Sequence, residues 1–249
     1  MPASALPRPR GILFDKDGTL FDFHRTWGRF TETVLDRLAP DGNARDAMAR
    51  AIGYDPGARR FLAGSPIVAG TNTDIARLWA AFRPDLGAAA IERLLDRTVL
   101  AASADPAFPS PAVADLPGLL ARLRALGFTL GVATHDTEQA ARAQLRTAGV
   151  ADAFGFVAGY DSGHGLKPGP GMPRAFAAAA GLDPGRFVMV GDSRHDLEAA
   201  RSGGAALAIG VLTGPATRAE LAPLADHVLP SIADLPALLG TWCLKCDTI

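Results

Sequence analysis

Two aspartates and a lysine follow a short apolar run near the start of the chain, in the stretch ILFDKDGTLF at residues 12–21. A carboxylate at the end of a strand, such as Asp15, can act as a nucleophile that forms an aspartyl-phosphate. Carboxylates as close together as Asp15 and Asp17 repel each other, so they need a cation or a shared proton. An Asp before Gly and Thr is also typical of a simple turn. The stretch therefore needs partners elsewhere in the chain before it predicts a catalytic site.

Polar groups with the required chemistry stand where three later apolar runs end. Thr134 closes TLGVAT, Lys167 lies just beyond FGFVAG, and Asp192 closes FVMVGD with Asp196 four residues later. Ligands of open α/β sheets bind at the carboxyl ends of the strands, so we expect these groups to face one crevice. Oxygen-rich sites suit Mg²⁺, and a lysine with a hydroxyl can hold a phosphate. Together the groups predict phosphoryl transfer, in which positioning and charge neutralisation supply most of the catalysis.

The second part of the chain alternates short apolar runs with helical stretches of about ten residues. Such alternation predicts an α/β fold with a Rossmann-like parallel sheet covered by helices on both faces. Strands are expected at 128–134, 154–159, 186–192, 205–211 and a short HVLP stretch, and helices at 136–149, 172–181, 196–204, 215–224 and 231–240.

Residues 24–101 have a different pattern, with four stretches of helical spacing, no clear strand, and linkers rich in Pro and Gly. We therefore predict that an α-helical cap domain, residues 22–109, is inserted after the first strand. The α/β core would then consist of residues 1–21 and 110–249.

The composition favours a globular protein that acts on small molecules. The formal net charge is −1, so nothing indicates a basic face for nucleic acid. No apolar run reaches the roughly 18 residues of a membrane helix, and the N-terminus has no secretory pattern. We expect no membrane partner and a cytoplasmic location. Cys243 and Cys246 alone cannot complete a tetrahedral zinc site. Plain thiols are the simplest interpretation, and a redox pair is the alternative.

Lysines are rare in this chain. Of 25 basic residues only Lys16, Lys167 and Lys245 are lysines, and the other 22 are arginines. If the geometry of the first strand continues through Lys16, its side chain points away from both Asp15 and Asp17. We therefore expect Lys16 to be structural and Lys167 to be the functional lysine.

The motifs resemble those of the haloacid dehalogenase superfamily along the whole chain. DKDGTL is similar to the first motif of that family, Thr134 to the second, Lys167 with Pro168 to the third and GDSRHD to the fourth. The resemblance implies a haloacid dehalogenase-like core with a cap between the first two motifs. It also implies that Asp15 is the nucleophile and that Asp17 acts first as general acid and then as base.

The same resemblance implies roles for the other motif residues. Thr134 and Lys167 would hold the phosphoryl group. The cofactor would be Mg²⁺, with Asp15, Asp17 (through its backbone carbonyl), Asp192 and Asp196 at the metal site.

Within the superfamily, the cap type and motif set are most similar to phosphoglycolate phosphatases and their relatives. Asp17 favours phosphoryl chemistry over dehalogenation. The eleven arginines and absent lysine between Asp22 and Pro109 disfavour a phosphonatase, whose cap lysine forms a Schiff base, and weaken a β-phosphoglucomutase. Hydrolysis of a small phosphorylated metabolite is the leading hypothesis, with phosphoglycolate as the best single substrate. A phosphosugar mutase and a catalytically silent binding module stay open as alternatives.

Several residues are candidates for contact with the rest of the substrate. His135 follows Thr134 directly, and Arg25 is close to the first motif in sequence. An arginine would suit the carboxylate of a small anionic substrate. For any one arginine, however, an exposed helix face is the more common situation. The polar stretch GTNTD at 70–74 is a further candidate.

Overall fold

The computed structural model describes residues 8–62, 64–108 and 110–244, without the side chains of 69 and 241–244. Lys245, the predicted thiols Cys243 and Cys246, and the cap boundary at Pro109 therefore lie outside what is described. Among the described helices, none combines the length and apolar character needed to cross a membrane.

A parallel sheet of six strands forms the centre of the α/β part, as the sequence pattern predicts. The described residues form eight strands in all, of which β2 and β3 lie outside this sheet. In chain order they are β1 (Gly11–Phe14), β2 (Tyr54–Asp55), β3 (Arg60–Phe61), β4 (Thr129–Ala133), β5 (Phe156–Ala158), β6 (Phe187–Gly191), β7 (Leu207–Val211) and β8 (His227–Leu229). The order in the sheet is β5-β4-β1-β6-β7-β8. Phe14 pairs with Val132 on one side and with Val190 on the other, so β4 and β6 end beside β1.

Helices cover both faces of the sheet and form the inserted block. They are α1 (Phe23–Leu38), α2 (Gly42–Ala51), α3 (Pro66–Ala69), α4 (Asn72–Ala80), α5 (Ala88–Ser103), α6 (Leu116–Ala125), α7 (Glu138–Thr147), α8 (Gly171–Ala179), α9 (Arg194–Gly203), α10 (Arg218–Leu221) and α11 (Leu235–Leu244), with 3₁₀ turns at Ala151–Ala153 and Ile232–Asp234. Side chains at the helix starts fix where the helices begin. Asp22 accepts a hydrogen bond from the backbone of α1, while Thr71 and Ser193 form capping boxes at α4 and α9.

The strands of the sheet are buried on both faces. Ile12 and Phe14 pack into one apolar cluster and Leu13 into another, because successive side chains of a strand point to opposite faces. The helical block has a third apolar cluster of its own, which includes Trp27 and Trp79. Separate clusters agree with a core and a cap, although the predicted boundaries at 21/22 and 109/110 stay predictions.

Three details differ from the sequence pattern. The helical block contains the short antiparallel pair of β2 and β3, where no strand was expected, because two-residue strands are too short to show an alternation. Of the helix expected at 215–224, only Arg218–Leu221 is helical. Helices α3 and α6 were not predicted.

Candidate active site

One cavity lies where the carboxyl ends of β1, β4 and β6 meet the inserted helices. It contains about 550 Å³ of atom-free space, including open solvent. The core supplies one wall of this cavity, and the helical block supplies the other. The core wall consists of Asp15, Asp17, Thr134, His135, Asp136, Lys167, Asp192, Ser193, His195 and Asp196. All the motif residues predicted from the sequence therefore line one cavity.

Lys167 ties the predicted nucleophile to the fourth motif. Its ammonium donates to Asp15 Oδ1 and to Asp196 Oδ1, each at 2.6 Å, and to the backbone oxygen of Ala133 at 3.0 Å. These three acceptors match the three donors of an ammonium. Burial lowers the pKa of Lys167, but Asp15 and Asp196 outweigh it and hold the pKa above its usual value. Lys167 therefore keeps its positive charge beside Asp15.

Asp15 itself is 6% exposed. Burial raises the pKa of Asp15 to about 7, because the charged form loses its hydration, and Asp196 adds to this while Lys167 opposes it. A cation bound beside Asp15 would favour its ionised, nucleophilic form.

Asp192 also lines the cavity, and its carboxylate packs against two glycines, Gly18 and Gly214, where a larger residue would not fit. A Cβ on Gly18 would come to 2.4 Å from Asp192 Oδ2, and a Cβ on Gly214 would come to 1.7 Å. Burial and the charges of Asp15 and Asp196 raise the pKa of Asp192 well above its usual value. Its Oδ2 is buried and has no hydrogen-bond partner among the described residues.

One carboxylate oxygen from each of Asp15, Asp192 and Asp196 lies within 4.8 Å of the other two. Buried oxygens this close repel, and a buried polar atom without a partner is costly. A hard divalent cation would relieve both penalties, so these residues fit a Mg²⁺ ion.

Asp196 differs from the other two carboxylates because both of its oxygens already accept hydrogen bonds. Oδ1 accepts from Lys167 and Oδ2 from the hydroxyl of Ser193, each at 2.6 Å. Burial raises the pKa of Asp196, but Lys167 and Ser193 overcome this and hold it below its usual value. Its geometry is that of a residue that fixes Lys167 and starts α9.

Thr134 and His135 continue from β4 along the same wall. Thr134 is 2% exposed, and its hydroxyl oxygen accepts from the backbone N–H of Asp136 at 3.1 Å. His135 Nε2 accepts from the backbone N–H of Lys167 at 3.0 Å. Both residues thus shape the loops that surround the phosphate position expected from the sequence.

Lys16 does not behave as the strand pattern predicts. The expectation that its side chain points away from both aspartates is wrong for Asp17, because Lys16 Nζ lies 2.5 Å from Asp17 Oδ2. The physical reason is that β1 ends at Phe14, so strand alternation no longer applies at Lys16. Gly18 then turns the chain with a φ of +91°.

The wall of the cavity formed by the helical block is largely apolar. It consists of Phe23, Trp27, Ile67, Val68, Gly70, Thr71, Asn72 and Ile75. Three residues of the GTNTD stretch, which the sequence indicates as a candidate for substrate contact, therefore line the cavity.

Arg25 is placed elsewhere. It is exposed and lines a separate cavity together with His24 and Arg29. No arginine is among the described residues that line the motif cavity. The expectation that Arg25 contacts substrate is therefore not supported by the geometry, since α1 turns that side chain away from the motifs.

Sequence reasoning missed Asp136 in the core wall, and it gave Ser193 and His195 no role of their own within the GDSRHD motif. Asp136 and Ser193 each stand one or two residues beyond a strand-end motif residue, and this proximity could have indicated them. The apolar cap residues gave no comparable signal, because apolar positions on a helix are typical of any core.

Known proteins are similar to this chain in sequence. A family model described as "Hydrolase: haloacid dehalogenase-like hydrolase" matches residues 9–204. The chain is 30% identical over 238 residues to the phosphoglycolate phosphatase of Rhodospirillum rubrum, covering 94% of this chain and 90% of the relative.

Solved structures share the fold. A predicted phosphoglycolate phosphatase from Haemophilus somnus is similar with a TM-score of 0.70 at 19% identity, over 94% of this chain and 99% of that one. CbbY from Rhodobacter sphaeroides, solved in complex with phosphate, is similar with a TM-score of 0.62 at 27% identity, over 91% of this chain and 96% of that one.

Proposed function

Because the chain belongs to the haloacid dehalogenase-like hydrolases, we propose that it hydrolyses phosphomonoesters of small metabolites through an aspartyl-phosphate on Asp15. The observation that carries the proposal is the buried group of Asp15, Lys167 and Asp192 at one end of the sheet, with Asp17 on the same cavity. Phosphoglycolate is the first substrate to test, since the R. rubrum relative carries that name.

Mg²⁺ is the proposed cofactor. Asp15 and Asp192 would hold the ion with the backbone carbonyl of Asp17, and Asp196 would stand beside it and hold Lys167. When bound, the ion supplies positive charge that neutralises the phosphoryl oxygens.

In the first chemical step, a carboxylate oxygen of Asp15 attacks the phosphorus in line with the leaving group. The bond from phosphorus to the leaving oxygen breaks, and Asp17 donates a proton to that oxygen. In the second step, a water oxygen attacks the phosphorus and gives its proton to Asp17. The bond from phosphorus to Asp15 breaks, which releases inorganic phosphate and regenerates both aspartates.

Thr134 would donate to a phosphoryl oxygen during both steps, and His135 would support the phosphate-side loop through its contact with Lys167. Lys167 would offset negative charge on Asp15 and on the phosphoryl group while its three donors stay on the protein. On the cap side, Thr71 and Asn72 are the polar residues that line the cavity beside the leaving group, with Thr71 also capping α4 and Asn72 donating to Asp96. We propose a cytoplasmic enzyme acting on small substrates.

The test is phosphate release from a panel of phosphomonoesters led by phosphoglycolate, each measured with Mg²⁺ and with a chelator. We expect release that depends on Mg²⁺ and is fastest for a small substrate. If none of the compounds in the panel releases phosphate, the proposal is overturned. Interconversion of a sugar phosphate without net release would identify a mutase instead.

A further inference from the structure

Resting on the proposed function, we propose that Lys16 is a positioning residue for Asp17. It holds Oδ2 of Asp17 and thereby fixes the orientation of the carboxyl group that exchanges a proton with the leaving group and with water. Lys16 itself is absent from the described residues that line the cavity, so it would act through Asp17.

The contacts of Lys16 carry the proposal. Its side chain is fully buried, and Nζ lies 2.5 Å from Asp17 Oδ2 and 2.6 Å from Gln144 Oε1. Asp136 Oδ2 lies 3.5 Å from the same nitrogen. A buried ammonium is stable only with such partners, so its position in the fold is closely determined.

The two oxygens of Asp17 differ as a consequence. Oδ2 accepts from Lys16, whereas Oδ1 is buried and has no hydrogen-bond partner among the described residues. Asp17 lines the catalytic cavity. Fixing one oxygen orients the whole carboxyl group, and correct orientation of an acid or base is a large part of its catalytic effect.

Gln144 and Asp136 hold Lys16 from the opposite side. Gln144 is fully buried in α7, and Asp136 stands in the loop between β4 and α7. Asp136 also gives the ammonium a second counter-charge, so Lys16 does not depend on Asp17 alone. The choice of residue fits this role, because lysine is used here in a chain with 22 arginines among 25 basic residues. A compact ammonium fits between two acceptors and the carboxylate of Asp136, where a planar guanidinium would need more room.

The experiment compares two leaving groups in wild type and Lys16→Met. The probes are p-nitrophenyl phosphate, whose leaving oxygen needs little protonation, and the alkyl phosphomonoester that the wild type hydrolyses best. The readout is kcat/KM, which covers the steps up to departure of the leaving group. We expect a loss of about 100-fold for the alkyl substrate and of less than about tenfold for p-nitrophenyl phosphate. An equal loss for both substrates would overturn the proposal.

A double-mutant cycle with Asp17→Asn supplies the second readout, measured with the alkyl substrate at high enzyme concentration. If Lys16 acts through Asp17, adding Lys16→Met to Asp17→Asn changes kcat/KM by less than about threefold. A full additional loss in that background would instead show a general structural role.

Circular dichroism and thermal unfolding establish whether Lys16→Met folds. Should it fail to fold, Gln144→Met takes its place, because it keeps every charge and removes only the acceptor that orients Lys16. The same selective loss on the alkyl substrate, of about tenfold, supports the proposal, and an unselective loss overturns it. A wild type that releases no phosphate from either probe would be a failure of the proposed function, distinct from these outcomes.

Discussion

The two walls of the cavity are built by different physical means. In the core wall, buried charges are fixed by one another, as when Lys167 donates to Asp15, Asp196 and the backbone in one place. In the cap wall, Trp27 and Ile75 offer apolar surface, and Thr71 and Asn72 offer neutral polar atoms. Rigidly held charges can stabilise the charge that develops on a phosphoryl group during transfer, whereas an apolar surface can distinguish substrates by the shape of their leaving groups. We therefore expect changes in the core wall to alter turnover and changes in the cap wall to alter substrate preference.

The largest effect is expected from Asp15→Asn, which removes the nucleophile and keeps the shape of the side chain. Phosphate release should fall by about 10⁴-fold or more, because the group that forms the covalent intermediate is lost. The measurement is a steady-state phosphate assay, with thermal unfolding as the control for folding. Substantial remaining activity with an unchanged need for Mg²⁺ would show that another group is the nucleophile.

The same variant should alter how stability depends on pH when no divalent cation is present. The pKa of Asp15 is raised to about 7 by burial, whereas an unfolded chain has an Asp pKa of about 3.9. Below the lower pKa, Asp15 is protonated in both the folded and the unfolded state, so its burial as a charge does not lower the free energy of unfolding. As pH rises towards 7, Asp15 ionises in the unfolded state while it is still protonated in the folded state. This lowers the free energy of the unfolded state, so the wild type loses stability.

We therefore expect the stability of Asp15→Asn relative to that of the wild type to rise as pH increases from about 4 to about 7, and to level off above that range. Urea unfolding at several pH values, with chelator and with Mg²⁺, measures this. Mg²⁺ should reduce the difference by stabilising the ionised wild type. A difference that does not change with pH would contradict the assigned environment of Asp15.

Sequence pattern was sufficient for the parts of the site that follow from strand geometry. Parallel neighbours end at the same edge, so Asp15, Thr134 and Asp192 had to lie together. The contact of Lys16 with Gln144 could not be predicted, because it depends on how α7 packs beside the first motif. Helical spacing shows which face of α7 is buried but not which buried atom it meets.

The cap side was harder to predict for a related reason. Arg25 is near the first motif in sequence, yet the direction of α1 places it on a separate cavity. Thr71 and Asn72 reach the site because α4 begins there. Proximity along the chain is a weak guide once a helix intervenes, since neighbouring side chains on a helix face different directions.

A smaller effect on the core wall is expected from Gly214→Ala. The new Cβ would stand 1.7 Å from Asp192 Oδ2 and would displace that carboxylate. We expect the Mg²⁺ concentration for half-maximal activity to rise by about 10- to 100-fold. The matched control is Gly155→Ala, where a Cβ meets no atom within 4 Å. An unchanged requirement for Mg²⁺ in Gly214→Ala would remove Asp192 from the proposed metal site.

The smallest effect is expected from the cap wall, through Trp27→Phe. This change keeps an aromatic ring beside Phe30, whose centroid lies 5.1 Å away, but it reduces the apolar surface that Trp27 presents to the cavity. We expect KM to change by about two- to fivefold, with kcat nearly constant, since uniform substrate binding changes and the reacting groups do not.

Arg25→Ala is the matched control on the same helix, and it should leave both constants unchanged because Arg25 faces the other cavity. The decisive measurement is the ratio of kcat/KM between two substrates that differ only in their leaving groups. A shift of that ratio in Trp27→Phe but not in Arg25→Ala would place substrate discrimination in the cap wall. A shift of the ratio in Arg25→Ala but not in Trp27→Phe would mean that the cap turns relative to the core during turnover and brings Arg25 to the substrate. The cavity between the two walls would then not be the place where the leaving group binds.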